Sequence, residues 1–393
     1  MKILVLARDY PYPLSHGVNL RVAPFARYLC QSHFVELVCF HDTRPADHEE
    51  DVFSKVTVFA PPAREAPKGG WAALVEKFSM AALLPASAEL QSYISERLAK
   101  QEYDVVFAYE PMVTNLPKLL NVPLVVDAID SGLLQYWREF KFAATPKRRI
   151  SMAKWLGMAY FFDKKYLARA DAVVLVAEED RRYFNIGCPD TYSLVIQNGV
   201  DREFFSPSAE IQESHEIVFE GSFSHSPNVD GAIYFCSEIL PIIREKVSDI
   251  HLTLVGRSPP KEIEALASDQ VTITGFVDDI RPYIHRASVF VCPLRTGGGI
   301  KNKVLQAWSM GKAVVATSAS VGGLNVQDGE NIIVQDDPKL FAKEVMTLIQ
   351  NPSARAELGR KARKTILQGY SWDAKSAELE AVMTQLLEKR KQS

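Results

Sequence analysis

The chain has 393 residues, of which 47% are hydrophobic and 24% charged, a composition typical of a globular protein with about two domains. Its net charge of -3 lacks the basic excess of nucleic-acid-binding proteins, so we expect no nucleic-acid partner. The five cysteines are scattered without a Cys-x-x-Cys pair, which indicates neither a zinc site nor a disulfide framework and favours a reducing cytoplasm. No apolar run approaches the roughly 18 residues of a membrane span.

The first half of the chain opens with a strand, a loop and a helix. The apolar run 3–7 ends in a proline-rich loop, a helical pattern of apolar residues follows at 20–29, and a second apolar run lies at 35–40. This order opens a β–α–β unit with a parallel sheet. The same pattern predicts further buried strands at 105–108, 124–126, 172–176 and 195–196, and a helix at 87–100.

The second half repeats this rhythm after a polar segment at 199–213, which we interpret as a hinge. The predicted strands are 217–219, 252–255, 271–273, 289–291, 313–316 and 332–334, and the predicted helices are 228–246, 303–310, 339–350 and 353–368. Two α/β domains of similar size are therefore expected at 1–200 and 201–372, followed by a final helical segment at 373–393.

The segment 137–166 is both basic and aromatic. Its lysines and arginines stand beside tryptophan and phenylalanine side chains. One interpretation is an ordinary amphipathic helix with solvated cations on its outer side. The other is a contact with a membrane surface or a lipid acceptor. The sequence alone leaves both interpretations open.

The strongest signal for chemistry lies at 295–311, RTGGGIKNKVLQAWSMG. Gly298 and Gly299 belong to a glycine turn after a predicted strand, and Lys301 and Lys303 follow where a helix begins. Backbone N–H groups at a glycine turn and a helix start bind anions such as a diphosphate, and the lysines would add countercharge. The spacing is not that of a Walker phosphate loop. The alternative is a plain glycine turn with solvated lysines.

Each half has a further glycine turn directly after its opening strand. Gly221 lies in the second half and Gly17 in the first. Polar side chains accompany these turns at His16, Ser222 and His225. Ligands in open α/β sheets bind at the carboxyl ends of the strands. If the two halves face each other, all three glycine turns surround one cleft, which favours a shared ligand site.

Carboxylates follow the predicted strand 124–126, in the segment VVDAIDSG. Asp127 and Asp130 would orient sugar or acceptor hydroxyls or act as a base. Helix capping by Asp130 or Ser131 is the equal alternative. The chain has no Asp-x-Asp pair to hold Mg²⁺ or Mn²⁺ with a diphosphate. We therefore expect no metal and no other cofactor.

Several segments together resemble family 4 of the glycosyltransferases. They are GSFSHSPNVDGAIYF, GRSP, TGFVDDIRPY, GGGIKNKVLQAWSMGKAVVATS and, between the halves, QNGVDREFFSP. VVDAIDSG also resembles a subgroup of bacterial sugar transferases of exopolysaccharide and surface-glycan assembly. The resemblance implies the GT-B fold, with two Rossmann-like parallel-sheet domains facing each other across a cleft. It also implies metal-independent transfer with retention at the anomeric carbon.

The resemblance assigns parts of the site to each domain. The N-terminal domain would hold the acceptor, the C-terminal domain would hold the nucleotide, and the last helix would cross back to the N-terminal domain. Gly17 matches the glycine that meets the donor phosphate, and Phe276 lies where the family contacts the nucleobase. The residues expected to bind the donor are Gly17, Gly221, Ser222, His225, Arg257, Phe276, Val277, Gly298, Gly299, Ile300, Asn302 and Gln306.

The chain departs from the family pattern at several positions. Gly298 and Gln306 stand where the family has two glutamates. Gln306 still accepts hydrogen bonds from ribose hydroxyls, and the lost charge weakens donor binding by about 1 kcal/mol. The family's arginine–lysine pair after the first turn of the C-terminal domain is absent, with His225 the nearest polar substitute. Ile129 stands near the family's acceptor-side histidine.

The expected reaction moves a sugar from a UDP- or GDP-linked donor to a glycan, lipid-linked or small-molecule acceptor. Lys301 and Lys303 would neutralise the leaving diphosphate, and Asp130 would position the acceptor. The other residues expected on the acceptor side of the site are His16, Asp127 and Ser131.

Two other functions fit the same pattern. A nucleotide-sugar epimerase on this fold would act without an acceptor. A non-catalytic scaffold of a glycan-assembly complex would bind no nucleotide, and Gly298 and Gln306 are the residues that favour it. We expect a cytoplasmic protein, and segment 137–166 leaves open a peripheral contact at the inner face of the membrane.

Overall fold

The structure is a computed structural model that describes residues 1–12, 19–41, 52–62, 86–141, 143, 145–208 and 214–392. The chain divides into two compact units. Unit 1 comprises Met1–Gln197 and Trp372–Ser393, and unit 2 comprises Asn198–Ser371. The chain therefore enters unit 2 after Gln197 and returns to unit 1 at Trp372.

The described part of unit 1 contains one parallel sheet of seven strands, in the order β3-β2-β1-β4-β5-β6-β7. The strands are β1 (Lys2–Asp9), β2 (Phe34–Phe40), β3 (Lys55–Phe59), β4 (Val105–Tyr109), β5 (Leu124–Ile129), β6 (Ala172–Leu175) and β7 (Ser193–Val195). Most are continuous apolar runs, as expected for parallel strands covered on both faces. The sequence pattern does not predict β3, because this strand, KVTVF, has no continuous apolar run; only its Phe59 is buried.

Five helices longer than two turns connect these strands in the described part of unit 1. They are α1 (Asn19–Leu29), α2 (Ala88–Ala99), α3 (Gly132–Lys141), α4 (Pro146–Tyr166) and α5 (Glu178–Gly187). The basic and aromatic segment 137–166 thus spans two helices. They separate at Thr145, because its hydroxyl accepts a hydrogen bond from the Arg148 N–H at 3.3 Å and Pro146 takes the first helical position.

Unit 2 repeats this architecture with a smaller sheet. Its described residues form six parallel strands in the order β10-β9-β8-β11-β12-β13. The strands are β8 (Ser214–Glu220), β9 (His251–Val255), β10 (Val271–Ile273), β11 (Ala287–Cys292), β12 (Ala313–Ala316) and β13 (Ile333–Val334). The helices are α6 (Ser226–Tyr234), α7 (Leu240–Arg244), α8 (Lys261–Glu264), α9 (Arg281–Arg286), α10 (Asn302–Ser309), α11 (Pro338–Gln350) and α12 (Pro352–Gly369). The two parallel sheets confirm the predicted α/β class.

Helices α6 and α7 are joined by a π-helical turn, Phe235–Ile239, where the sequence predicts one uninterrupted helix. Pro241 accounts for the difference. It has no N–H to donate to the carbonyl of Ser237, four residues earlier, so the helical hydrogen bonding shifts at this point.

The final helix, α13 (Trp372–Gln392), packs in unit 1. Leu379 and Met383 are fully buried in a hydrophobic cluster that includes residues of β1 and α1. The Trp372 ring meets the Phe25 ring of α1 edge-on, with centroids 5.5 Å apart. Burial of each such side chain contributes about 1.5–3 kcal/mol, so unit 1 depends on this last segment for its stability.

Candidate functional site

Two glycine turns meet at the carboxyl ends of β8 and β9. Gly221 donates its N–H to the carbonyl of Val255 at 2.9 Å, and Phe223 donates to the carbonyl of Arg257 at 3.0 Å. Gly256 has a φ of +153°, and a Cβ there would lie 1.8 Å from the carbonyl oxygen of Gly221. Only glycine permits this approach, so the two turns form one continuous backbone surface at the edge of the sheet.

Lys303 reaches this surface from the first turn of α10. Its ammonium donates to the carbonyl oxygen of Glu220 and, at 2.8 Å, to the Oδ1 of Asn228. Nζ lies 4.7 Å from the centroid of the Phe219 ring. Asn228 also donates from Nδ2 to the carbonyl of Ser222 at 2.8 Å. These contacts hold a half-buried positive charge at the end of β8.

We call Gly221, Asn228 and Lys303 the lysine cradle. Burial raises the pKa of the neighbouring Glu220 carboxyl, and the Lys303 ammonium opposes that shift. The sequence predicts Gly221 and Lys303 as site residues, whereas Asn228 has no predicted role. The available signal was its position in the first turn of α6, directly after the glycine turn that it supports.

The other two cations of the glycine-rich segment have different partners. Lys301 donates to carbonyl oxygens of its own glycine turn, including Gly299 at 3.0 Å. Arg295 pairs with Asp230, with its Nε 2.9 Å from Oδ2. Of these three cations, Lys303 is the one that the structure holds at the end of β8, whereas Lys301 closes its own turn.

Helix α10 begins directly after the glycine turn that contains Gly298. The side-chain oxygen of Asn302, its first residue, accepts a hydrogen bond from Nδ2 of Asn198 at 2.9 Å. The first N–H groups of a helix have no partner within the helix, so this end is suited to an anion. The half-buried Gln306 follows one turn later on the same side as Asn302.

The remaining predicted donor residues of unit 2 lie in the segments that follow its strands. The Ser222 hydroxyl lies 2.9 Å from the Ser224 hydroxyl and 3.4 Å from the Nε of Arg257, which donates to it. His225 is exposed at the start of α6. Phe276 is 70% exposed and offers an aromatic face to a ligand ring. The predicted residues that pack against the core of unit 2 are Val277 and Ile300.

In unit 1, Asp127 is buried near the end of β5. Its Oδ2 lies 2.6 Å from the Nε of Arg21, and both side chains are at most 1% exposed. Arg21 also donates from Nη2 to the carbonyl of Ile196 at 2.8 Å. The Asp127 carboxylate is therefore directed into the interior, where the ion pair ties α1 to the sheet.

Asp130 and Ser131 follow β5 through a strained turn. Ile129 has a φ of +65°, which is rare for a β-branched residue. Asp130 donates its N–H to the carbonyl of Ala128 at 2.8 Å. Ser131 accepts a hydrogen bond from the Leu134 N–H at 3.4 Å, so it caps α3. Strain of this kind concentrates at functional sites, which makes Asp130 the residue of interest here.

Buried carboxyl groups lie near this turn. Asp180 accepts a hydrogen bond from the Ser131 N–H at 2.8 Å, and burial raises its pKa to about 6. Burial raises the pKa of Asp163 to about 7. The pKa of Glu110 is also raised, mainly by burial and to a smaller extent by the charges of Asp163 and Asp130. The pKa values of these three carboxyl groups are therefore higher than in the unfolded chain.

Asp163→Asn is expected to make unit 1 more stable at about pH 8 and to have little effect at about pH 4. The carboxyl holds its proton more tightly in the folded chain, with a pKa of about 7 against an ordinary value of 3.8. The free energy of unfolding therefore falls as the pH rises through this range, by on the order of 2–4 kcal/mol. Asparagine cannot ionise, so it removes this decline.

Urea unfolding followed by circular dichroism across this pH range measures the effect. Asp190→Asn, at an exposed position of the same unit, is the matched control and should leave the profile unchanged. Parallel pH profiles of the native protein and Asp163→Asn would contradict the expected role of this carboxyl.

Two predicted site residues, His16 and Gly17, lie outside the described residues. Within the described ranges, no group of three or more His, Cys, Asp or Glu side chains is arranged to hold a metal ion. The helices of the same ranges include none with the length and apolar character needed to cross a membrane.

Two family models match the chain. The model described as glycosyl transferase 4-like domain matches residues 16–199, and the model described as glycosyl transferases group 1 matches residues 214–351. The two matches follow one another along the chain and together span most of its length.

Relatives among known proteins align over long stretches. The chain is 21% identical over 386 residues to an uncharacterized 44.6 kDa protein in the cps region of Klebsiella pneumoniae, covering 94% of this chain and 96% of that protein. It is 22% identical over 264 residues to LpcC, a lipopolysaccharide core biosynthesis mannosyltransferase of Rhizobium leguminosarum bv. viciae, covering 62% of this chain and 70% of that protein.

Solved structures match nearly the whole chain. Sucrose-phosphate synthase from Thermosynechococcus elongatus has a TM-score of 0.76 at 16% identity and covers 99% of both chains. HepE of Anabaena, in complex with UDP and glucose, has a TM-score of 0.68 at 16% identity and covers 98% of this chain and 99% of that chain. At these identities the likeness is one of fold.

Proposed function

Because this chain belongs to the family 4 type of glycosyltransferases and has the GT-B fold, we propose that it moves a sugar from a UDP- or GDP-linked donor to a glycan, lipid-linked or small-molecule acceptor. The transfer retains the anomeric configuration, needs no metal ion and takes place in the cytoplasm. The lysine cradle is the observation that carries the proposal. The complex of HepE with UDP and glucose supports a nucleotide-sugar donor.

The lysine cradle suits the charge that the reaction creates. As the bond between the anomeric carbon and the diphosphate breaks, negative charge develops on the leaving diphosphate. Asn228 holds the Lys303 ammonium in place beforehand, so stabilising this charge costs little reorganisation. The N–H groups at the start of α10 carry partial positive charge, which also stabilises the leaving diphosphate. Lys301 acts through the shape of its glycine turn.

On the acceptor side, we assign the positioning of the acceptor to Asp130. Asp127 supports it indirectly, because its ion pair with Arg21 fixes the end of β5. The acceptor hydroxyl attacks the anomeric carbon from the face that the diphosphate leaves, and an oxygen of the leaving phosphate takes the hydroxyl proton. One bond to the anomeric carbon forms as the other breaks, and no protein base is required.

The proposal is tested by assaying transfer in the presence of EDTA. The purified protein is incubated with UDP- and GDP-sugars, with and without glycan and lipid-linked acceptors, and the products are resolved by mass spectrometry and NMR. We expect an acceptor-dependent product with retained anomeric configuration that EDTA does not abolish. Conversion of the donor alone to its epimer would identify an epimerase. Failure to bind either UDP or GDP in calorimetry would identify a scaffold, and both results reject the proposal.

Gly221→Ala is expected to weaken the binding of UDP or GDP about tenfold, which corresponds to about 1.4 kcal/mol. A Cβ at this position would lie 2.6 Å from the Nζ of Lys303 and 2.8 Å from the Cγ of Asn228, so the ammonium must move. Calorimetry measures the affinity, and circular dichroism checks that unit 2 stays folded. Gly369→Ala, whose Cβ would meet no atom within 4 Å, is the matched control. Unchanged affinity in Gly221→Ala would show that the position of Lys303 is irrelevant.

A further inference from the structure

Helix α4 carries an exposed surface that the proposed reaction does not use. Ile150 is 73% exposed and Phe161 is 70% exposed. Three exposed lysines, Lys147, Lys154 and Lys164, accompany them. Successive members of this set are three, four, seven and three residues apart, so all five lie on one side of the helix. We call these five residues the outer face of α4.

A neighbouring side of α4 packs into unit 1. Its buried residues are Met158, Ala159, Phe162 and Asp163. Phe162 belongs to the same hydrophobic cluster as residues of β5 and β6. Because this side is held in the core, the outer face is fixed towards solvent.

The charge of α4 differs from that of the chain as a whole. The chain has a net charge of -3. The basic residues of α4 are Lys147, Arg148, Arg149, Lys154, Lys164 and Lys165. Its one acidic residue, Asp163, is buried. The exposed surface of this helix is therefore cationic along its whole length and carries apolar side chains between the charges.

We propose that the outer face of α4 docks the protein on a membrane surface that contains anionic lipid. The lysines attract the headgroup phosphates, and their charge is complementary to such a surface. Ile150 and Phe161 enter the boundary between headgroups and acyl chains, which removes their apolar area from water. The outer face runs along nearly the whole of this helix, which has 21 residues and is about 30 Å long. The helix therefore lies along the membrane surface. This docking does not depend on sugar transfer.

Other occupants of this face fit less well. A second copy of the same face would bring two cationic surfaces together, and these repel. A nucleic acid would bind the lysines through its phosphates and would leave Ile150 and Phe161 in water. A lipid surface satisfies both the charged and the apolar side chains.

The test is co-sedimentation of the whole protein with vesicles. Vesicles of phosphatidylcholine alone are compared with vesicles that also contain phosphatidylglycerol. We expect binding to the anionic vesicles, weakened by high salt, and little binding to the neutral ones. Two double variants, Ile150→Ser with Phe161→Ser and Lys147→Glu with Lys164→Glu, should each lower the bound fraction at least about tenfold. UDP or GDP binding should stay unchanged.

Matched controls lie outside α4. Leu119→Ser removes another exposed apolar side chain of unit 1, and Lys246→Glu with Lys261→Glu reverses two exposed lysines of unit 2. Both controls should bind like the native protein. The proposal is overturned if neutral vesicles bind equally well, if neither vesicle binds, or if the controls lose as much binding as the α4 variants. It is also overturned if light scattering shows a dimer that Phe161→Ser dissociates, or if RNA competes the protein off the vesicles.

Discussion

Lys303→Ala is expected to lower kcat/KM for sugar transfer by a factor of about 100 or more while unit 2 stays folded. The ammonium is held by Asn228 and by the carbonyl oxygen of Glu220, so its charge is already in place when the diphosphate leaves. Removing one fixed group of this kind costs about 3–4 kcal/mol of transition-state stabilisation. The side chain is only half-buried, so water can replace its hydrogen bonds in the variant.

Steady-state kinetics and thermal unfolding of the same samples measure both parts of this expectation. Lys301→Ala should have a smaller effect, because that ammonium closes its own turn. Lys339→Ala, at an exposed lysine of α11, is the matched control and should behave like the native protein. If both Lys301→Ala and Lys303→Ala retain full activity, the leaving diphosphate is not neutralised at this turn and the proposed mechanism fails.

Arg21→Met is expected to lower the free energy of unfolding by about 3–5 kcal/mol. The ion pair with Asp127 is completely buried, and burial already raises the pKa of this carboxyl, so the variant leaves a buried carboxyl group without its partner, at the cost of either an unpaired charge or the uptake of a proton. The carbonyl of Ile196 loses a donor at the same time. Urea unfolding followed by circular dichroism measures the change, and transfer activity should fall with it because Asp130 follows the same strand.

The double variant Arg21→Met with Asp127→Leu separates the cost of the unpaired charge from the loss of packing. We expect it to recover part of the stability, because a buried ion pair can be replaced by apolar side chains at little cost. Arg182→Met, at an exposed arginine of α5, is the matched control and should change stability by less than about 0.5 kcal/mol. An Arg21→Met variant as stable as the native protein would mean that the Asp127 carboxylate is not held ionised by this pair.

Much of the fold could be predicted from the sequence because parallel strands are continuous apolar runs. Strand β11 contains such a run, and the predicted 289–291 lies within its observed bounds, Ala287–Cys292. Strand β3 has no such run, since it alternates Lys55 and Thr57 with valines that are only partly buried. The division of segment 137–166 depends on one capping hydroxyl at Thr145, which a search for apolar periodicity does not detect.

The candidate site could also be predicted only in part from the sequence. Gly221 and Lys303 could each be predicted from the sequence, because Gly221 directly follows a strand and Lys303 lies where a helix begins. Their direct proximity was not, since it depends on β8 lying between β9 and β11 in the sheet. Asn228 is 75 positions away from Lys303 in the sequence, and only that strand order brings the two side chains together. The strained φ of Ile129 also follows from tertiary packing and not from the residue's own preference.

The return of α13 to unit 1 sets the order in which the units are finished during translation. All of unit 2 leaves the ribosome before α13 does, so the nascent chain can fold it first. Until Leu379 and Met383 emerge, the apolar surface that they cover beside α1 stays open to water and to chaperones. Unit 1, most of which precedes unit 2 in the chain, is therefore completed after it.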